Sequence, residues 1–280
     1  MRSVTLLAAV LAFLGFGAAR PAQPIPSFEH VIVVVFENKE AASVLGNRSA
    51  PTFNLYARTY ARLTRYYGLT HPSLPNYLAL VSGSTQGITS DCVTCEVDAR
   101  SLANTLEAAG QTWKAYLEGL PERGYLGGFS GRYAKKHDPF AYFRSVAGSS
   151  PRRQRLVPLA ELAADVKTGA LPDFSLVVPD LCHSMHDCSV SVGDAWLRQT
   201  VGPLLQVPRT VVFVVFDEGT TSAHGGGHVP ALAVGTAVRR HSAFRGLTNH
   251  YGLLRTVEQP WGLPRLGHSA GARAIMGIWR

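Results

Sequence analysis

His30-Val-Ile-Val-Val-Val-Phe36 is a short apolar run, mostly β-branched, that stops abruptly at Glu37-Asn38. A run so short and unbroken reads as a strand buried on both faces, as in a parallel sheet covered by helices. The pattern returns far downstream, where Thr210-Val-Val-Phe-Val-Val-Phe216 ends in Asp217-Glu218-Gly219. Phe174-Ser-Leu-Val-Val178 precedes Pro179-Asp180, and Val229-Pro-Ala-Leu-Ala-Val-Gly235 follows His228. The spacing predicts helices between these runs, over residues 101–110 with Ser101 as cap and Gly110 as stop, then 159–167, 192–205 and 249–258. Strands alternating with helices imply an α/β fold, a mostly parallel central sheet with helices on both faces. Ligands of such sheets bind beyond the carboxyl ends of the strands. Here two of those ends carry Glu37-Asn38 and Asp217-Glu218, an oxygen-rich set suited to a divalent cation.

The chain has 280 residues, 46% of them hydrophobic and 16% charged, which excludes a disordered chain, a coiled coil and a collagen. Met1-Arg2, an apolar stretch from Val4 to Ala19 and the small residues Gly17-Ala18-Ala19 read as a secretory signal peptide over residues 1–19. An uncleaved anchor is the alternative. Residues 20–27 form an extended leader, and residues 28–280 a single domain. The expected location is therefore outside the cytoplasm, periplasmic or extracellular. Export permits disulfides among Cys92, Cys95, Cys182 and Cys188. Pairing of sequence neighbours is the simplest of three connectivities, and a zinc site is the competing use of the four sulfurs. Lys and Arg number 27 against 19 Asp and Glu, a net charge of +8. That excess fits attraction to anionic substrates or surfaces, and equally a solvated loop at Arg152-Arg153-Gln154-Arg155. No helix-turn-helix, finger or aromatic-basic strand points to nucleic acid, and nothing implies a protein partner.

Thr70-His71-Pro72-Ser73-Leu74-Pro75-Asn76-Tyr77 leads into an apolar stretch that ends at Ser82-Gly83-Ser84. Ser73 is expected at the N-cap of a helix with Pro75 in its first turn. A cap and nothing more is one reading of it. The other uses the same place: a helix start binds phosphate, and a hydroxyl there beside a divalent metal becomes a nucleophile. Histidines fall in clusters, Lys136-His137-Asp138, Cys182-His183-Ser-Met-His186-Asp187-Cys188 and His224-Gly-Gly-Gly-His228. Their placement after strand ends favours roles as phosphoryl hydrogen-bond donors and as the acid for a leaving oxygen.

Taken as an ordered set, Glu37-Asn38, His71-Pro-Ser73-Leu-Pro-Asn76, Lys136-His137-Asp-Pro-Phe140, Pro179-Asp-Leu-Cys-His183-Ser-Met-His186-Asp187, Asp217-Glu218 and His228-Val-Pro230 resembles the bacterial phosphoesterase family. That family holds acid phosphatases and phospholipases C and belongs to the alkaline-phosphatase-like superfamily. The resemblance implies a metal-dependent hydrolase of phosphate esters with Ser73 as nucleophile. It implies Glu37, Asn38, Ser73, Asp217 and Glu218 as ligands of a divalent metal, and His137, His183 and His186 as catalytic histidines. His71, Asn76, Asp187 and His228 are further pocket candidates, and His71 is the candidate substitute for an upstream histidine of larger members. The implied partner is a small phosphorylated substrate, with a phospholipid head group as the alternative of the phospholipase branch. An α/β-hydrolase esterase is the rival enzyme reading, and it needs a Gly-x-Ser-x-Gly elbow that follows a strand; the one such pentapeptide, Gly267-His268-Ser269-Ala270-Gly271, is preceded by Pro260-Trp-Gly-Leu-Pro264 and not by an apolar run. A non-catalytic phosphate-binding module remains the rival from another class.

Overall fold

The computed structural model describes residues 25–280. The expected signal peptide, and residues 20–24 of the leader, lie outside the described residues. An 8-stranded sheet runs through the molecule. From one edge to the other its strands are Ser242–Phe244, Ala61–Leu63, Ala231–Val234, Thr210–Phe216, His30–Phe36, Phe174–Val178, Trp113–Leu117 and Leu156–Pro158. Every adjacent pair is parallel except the two that involve Ala231–Val234. The expected mostly parallel sheet is therefore present, with one reversed strand. The reversal has a simple cause. Residues 217–230 between Phe216 and Ala231 contain no helix, and a parallel return needs a long crossover that is usually helical.

Val31 through Phe36 and Val211 through Phe216 are all buried. Each such side chain contributes roughly 1.5–3 kcal/mol on leaving water, so the two central strands anchor the core. Side chains alternate between faces along them. The Phe36 ring packs on Phe53 at 5.3 Å and on Trp196 at 5.5 Å, which come from helices Pro51–Thr59 and Val190–Val201. Glu37, the next residue, reaches the opposite layer, where helix Ser73–Ser82 packs against His250–Glu258 and Leu102–Ala108. Both faces are thus covered.

Local signals explain the helix ends. Ser101 caps Leu102–Ala108, with Asn104 Oδ1 accepting from the Ser101 N–H at 2.9 Å. Asn249 caps His250–Glu258 through its own side-chain oxygen. The expected helix 192–205 starts earlier, at Val190, and its α-helical part ends at Val201. Gly202–Gln206 continues as a 3₁₀ turn, because Pro203 has no N–H to extend the ladder. Helix Ser73–Ser82 departs from expectation at its start. Its N-cap is Pro72, and Ser73 is the first helical residue. Gly83 ends that helix at φ 70, and a Cβ there would lie 1.9 Å from the Leu266 carbonyl oxygen. The cysteines pair as sequence neighbours, Cys92–Cys95 and Cys182–Cys188. All four sulfurs are therefore committed and none is left for zinc. Among the described residues, no helix is long and apolar enough to cross a membrane.

Candidate active site

Parallel pairing of the two central strands sets Phe36 beside Phe216, so Glu37 and Asp217 emerge side by side at the carboxyl end of the sheet. Both are fully buried. Helix Ser73–Ser82 starts over this point. Ser73 Oγ donates to Glu37 Oε2 at 3.1 Å, and the Tyr77 hydroxyl, one turn further on, donates to Glu37 Oε1 at 2.6 Å. His137 Nε2 lies 3.3 Å from the same Oε1 but is misdirected for a hydrogen bond and has no partner. The His137 ring stacks on Tyr77 at 5.2 Å. Burial, with Lys136 and His186 nearby, holds its pKa well below the ordinary histidine value, so His137 is neutral.

Asp217 is held from behind. Its N–H donates to Phe36 O at 3.0 Å, and its Oδ1 accepts the Asn38 N–H at 3.2 Å. Buried His250 donates from Nε2 to Asp217 O at 2.6 Å while its Nδ1 accepts from the Tyr66 hydroxyl at 2.9 Å. Burial lowers the His250 pKa to about 4, which fixes this neutral tautomer. Asp217 Oδ2 is buried with no hydrogen-bond partner. Such an orphan calls for an ion or a ligand group. Glu218 is nearly buried, 3.0 Å from His71 Nδ1 and 3.4 Å from the Asn76 amide. Burial and the Asp217 charge raise the pKa of Glu37, burial raises that of Asp217, and burial with Asp217 and Asp91 raises that of Glu218. Three carboxylates confined in this way resist ionisation unless a cation joins them.

Glu37, Asp217, Glu218 and Ser73 present oxygen atoms, the ligand type a hard divalent cation takes, but the three carboxylates do not meet within 4.8 Å of one another. Asn38 contributes through its backbone N–H, at a φ of 53, rather than through an observed side-chain contact. The group that does converge as a cation candidate lies on the neighbouring strand ends. Glu118, Asp180 and His183 offer ligand atoms within 4.8 Å of one another. Glu118 follows the Trp113–Leu117 strand directly, and its Oε2 accepts from Asp180 N and lies 3.0 Å from His183 Nδ1. Asp180 Oδ1 accepts from Cys182 N and His183 N. These bonds already satisfy part of that cluster, whereas Asp217 Oδ2 is bare. Glu118 carries no signal in the sequence because its strand Trp113–Leu117 has no continuous apolar run. Lys114 interrupts the apolar pattern, and its stem leads an ammonium to Asp165 at 2.5 Å.

The remaining candidates separate clearly. Asn76 Oδ1 accepts from Leu69 N and Thr70 N, and its amide donates to Thr70 O and Pro72 O; it staples the loop that presents Ser73. His186 Nδ1 lies 2.6 Å from Asp187 Oδ1, and its ring is 6.0 Å from that of His137. The His-rich segment is tied to the site by Glu37 N donating to Ser184 O and by Lys39 donating to Met185 O. His228 has contacts on the loop beside the site. Its ring lies against Tyr67 with Nε2 3.1 Å from Thr64 O, and its N–H donates to Glu40. The adjoining glycines serve close packing, since a Cβ at Gly226 would lie 2.6 Å from the Gly68 carbonyl carbon. The open N–H groups expected at the helix start are partly taken as well. Leu74 N donates to Asp91 Oδ1 at 3.0 Å, and Asp91 pairs with Lys136 at 2.8 Å. Neither Tyr77 nor Asp91 carries a signal in the sequence.

The phosphoesterase family profile matches residues 43–264. The chain belongs to the phosphoesterase family. This phosphoesterase is 35% identical to a phosphatidylinositol-3-phosphatase of Mycobacterium tuberculosis, over 92% of the chain and 85% of that relative. It is 30% identical to a phosphate-repressible acid phosphatase of Penicillium chrysogenum, over 73% of the chain and 53% of that longer protein. Among solved structures, a protein of the alkaline phosphatase superfamily from Vibrio parahaemolyticus superposes with a TM-score of 0.60 at 17% identity, over 90% of this chain and 71% of that one. That likeness establishes the alkaline-phosphatase-like fold. The phosphoesterase is thus a hydrolase acting on phosphate esters.

One buried group beside the site gives a clean pH test. Asp138 is fully buried between His137 and Pro139, its carboxylate oxygens lack directed partners, and burial pushes its pKa up to about 7. A raised folded-state pKa means stability that is present below the ordinary carboxylate value and lost as pH rises through about 7. Asp138→Asn therefore stabilises the protein at pH 8, by on the order of 3 kcal/mol, and changes little at pH 4. Chemical denaturation at both pH values checks this; equal effects at the two would refute it.

Proposed function

We propose that this phosphoesterase hydrolyses phosphate monoesters through a phosphoseryl intermediate on Ser73, with a divalent metal held by Glu37, Asp217, Glu218 and Ser73. The observation that carries the reading is the buried hydrogen bond from Ser73 Oγ to Glu37, next to the partnerless Asp217 Oδ2. A bound metal supplies charge neutralisation and a lowered pKa for the hydroxyl it touches. The protein's own groups do the rest. Tyr77 orients Glu37, and Asn38 and His250 orient Asp217. Ser73 Oγ, passing its proton along its hydrogen bond to Glu37 Oε2, attacks phosphorus, and the bond from phosphorus to the ester oxygen breaks; Glu37 returns that proton to Ser73 when the phosphoseryl bond is cleaved. His186, oriented by Asp187, gives the departing oxygen its proton from Nε2. Neutral His137 donates a hydrogen bond to a phosphoryl oxygen, as does His183, whose Nδ1 is turned toward Glu118. Water then cleaves the phosphoseryl bond, with the deprotonated His186 accepting its proton.

The name of the mycobacterial relative and those of the fungal acid phosphatases favour a monoester, with a phosphorylated lipid head group as one substrate class. Two disulfides and the apolar N-terminal segment support an exported, periplasmic or extracellular enzyme. Release of nitrophenol from p-nitrophenyl phosphate, bis-p-nitrophenyl phosphate and p-nitrophenyl phosphorylcholine separates monoesterase, diesterase and phospholipase C behaviour. Preference for the first is expected, and inactivity on all three would restore the binding-module reading. Prolonged chelation followed by gel filtration should abolish turnover, and a divalent metal should restore it. Full turnover after verified metal removal would end the ligand assignment.

A further inference from the structure

The edge of the sheet carries a cationic surface that the chemistry at Ser73 does not use. No Asp or Glu occurs between Glu40 and Asp91, nor between Glu218 and Glu258. These two acid-free segments supply the edge strands Ala61–Leu63 and Ser242–Phe244, paired in parallel. Arg58, Arg62, Arg65, Arg239, Arg240 and Arg245 project there, all exposed. Among the described residues none of them has a carboxylate partner. Four of the six, Arg58, Arg62, Arg239 and Arg245, line a cavity of about 750 Å³ that contains no acid. Two exposed leucines lie close to them along the chain. Leu247, 47% exposed, follows Arg245 by two residues, and Leu55, 51% exposed, lies one helical turn before Arg58. They are two of the three large hydrophobic side chains that the described residues leave in water.

We infer that this edge docks the enzyme onto an anionic phospholipid bilayer, with the arginines on the head groups and Leu55 and Leu247 at the acyl boundary. Cations that only protect an edge strand from pairing with another chain need neither a cavity nor flanking leucines. A soluble polyanion would be served by the arginines alone. Charge together with exposed apolar side chains is the combination that suits a membrane interface. Arg65 and Arg245 follow the carboxyl ends of strands that run parallel to Thr210–Phe216, so the surface reaches the end of the sheet where Asp217 lies. The inference does not depend on the metal or the nucleophile.

The test is co-sedimentation of the full chain with phosphatidylcholine vesicles and with vesicles that also carry phosphatidylglycerol. Binding to the second and not the first is expected, and it should fade as salt shortens the Debye length toward about 3 Å at 1 M. Each arginine near the surface contributes roughly fivefold to partitioning, so Arg62→Glu with Arg245→Glu should weaken binding by more than tenfold. Leu247→Ser should weaken it at constant charge. Both variants should keep the melting temperature and the p-nitrophenyl phosphate turnover of the parent chain. Equal binding to neutral vesicles, no binding to anionic ones, or unchanged binding by the double variant would overturn the inference. Capture by immobilised polyphosphate without vesicle binding would also overturn it, in favour of a soluble polyanion.

Discussion

Ser73→Ala lowers kcat/KM for p-nitrophenyl phosphate by at least about 10⁴-fold, because it removes the hydroxyl proposed to attack phosphorus. The fold survives the change. Ser73 is the first residue of its helix and caps nothing, so alanine costs one hydrogen bond to Glu37, about 1 kcal/mol and no more than about 4 °C in melting temperature. Acid quenching during turnover should leave phosphate on the parent protein and none on the variant. A purified variant that keeps its rate would remove Ser73 from the chemistry. One that unfolds would show that the hydroxyl serves the structure instead.

Asp217→Asn is the second large effect, and it acts in opposite directions on activity and on stability. The amide oxygen can still accept the Asn38 N–H that Oδ1 now accepts at 3.2 Å, so the loop is kept. The amide nitrogen cannot do what a bare carboxylate oxygen does for a cation. Turnover at saturating metal should fall by at least about a hundredfold, the upper end of what the loss of a mere supporting partner costs a metal site. Without metal the variant should be the more stable protein above pH 6. Burial raises the Asp217 pKa to about 6, so the ionised side chain destabilises the fold as pH rises from the ordinary carboxylate value through 6, and an amide escapes that penalty. Melting curves in chelator at pH 8 and pH 4 test this. A variant less stable than the parent at pH 8, or one with full activity, would contradict the assignment of Oδ2 to a cation.

The readable parts of the site share one property: they are adjacent in sequence to a pattern. Glu37 and Asp217 each end a continuous β-branched run, and parallel pairing of buried strands places such ends together. Ser73 stands at the boundary of an apolar helical stretch. Unreadable residues enter from elements whose own pattern is weak. Glu118 ends a strand broken by Lys114, Asp91 lies in a loop beside Cys92, and Tyr77 looks like any buried aromatic of a helix. His228 has contacts of another kind. Its glycine-rich neighbourhood resembles a ligand loop, yet the glycines allow two backbones to touch and the ring is spent on Thr64 and Tyr67.

Composition and periodicity alone determined the layered α/β architecture and set Glu37-Asn38 and Asp217-Glu218 at strand ends, because these follow from patterns among near neighbours along the chain. Three things needed the folded molecule: which oxygen was left without a partner, which histidine was neutral, and which arginines gathered on one edge. Each depends on burial and on atoms brought together from distant segments, and those relations have no counterpart in the linear order of residues.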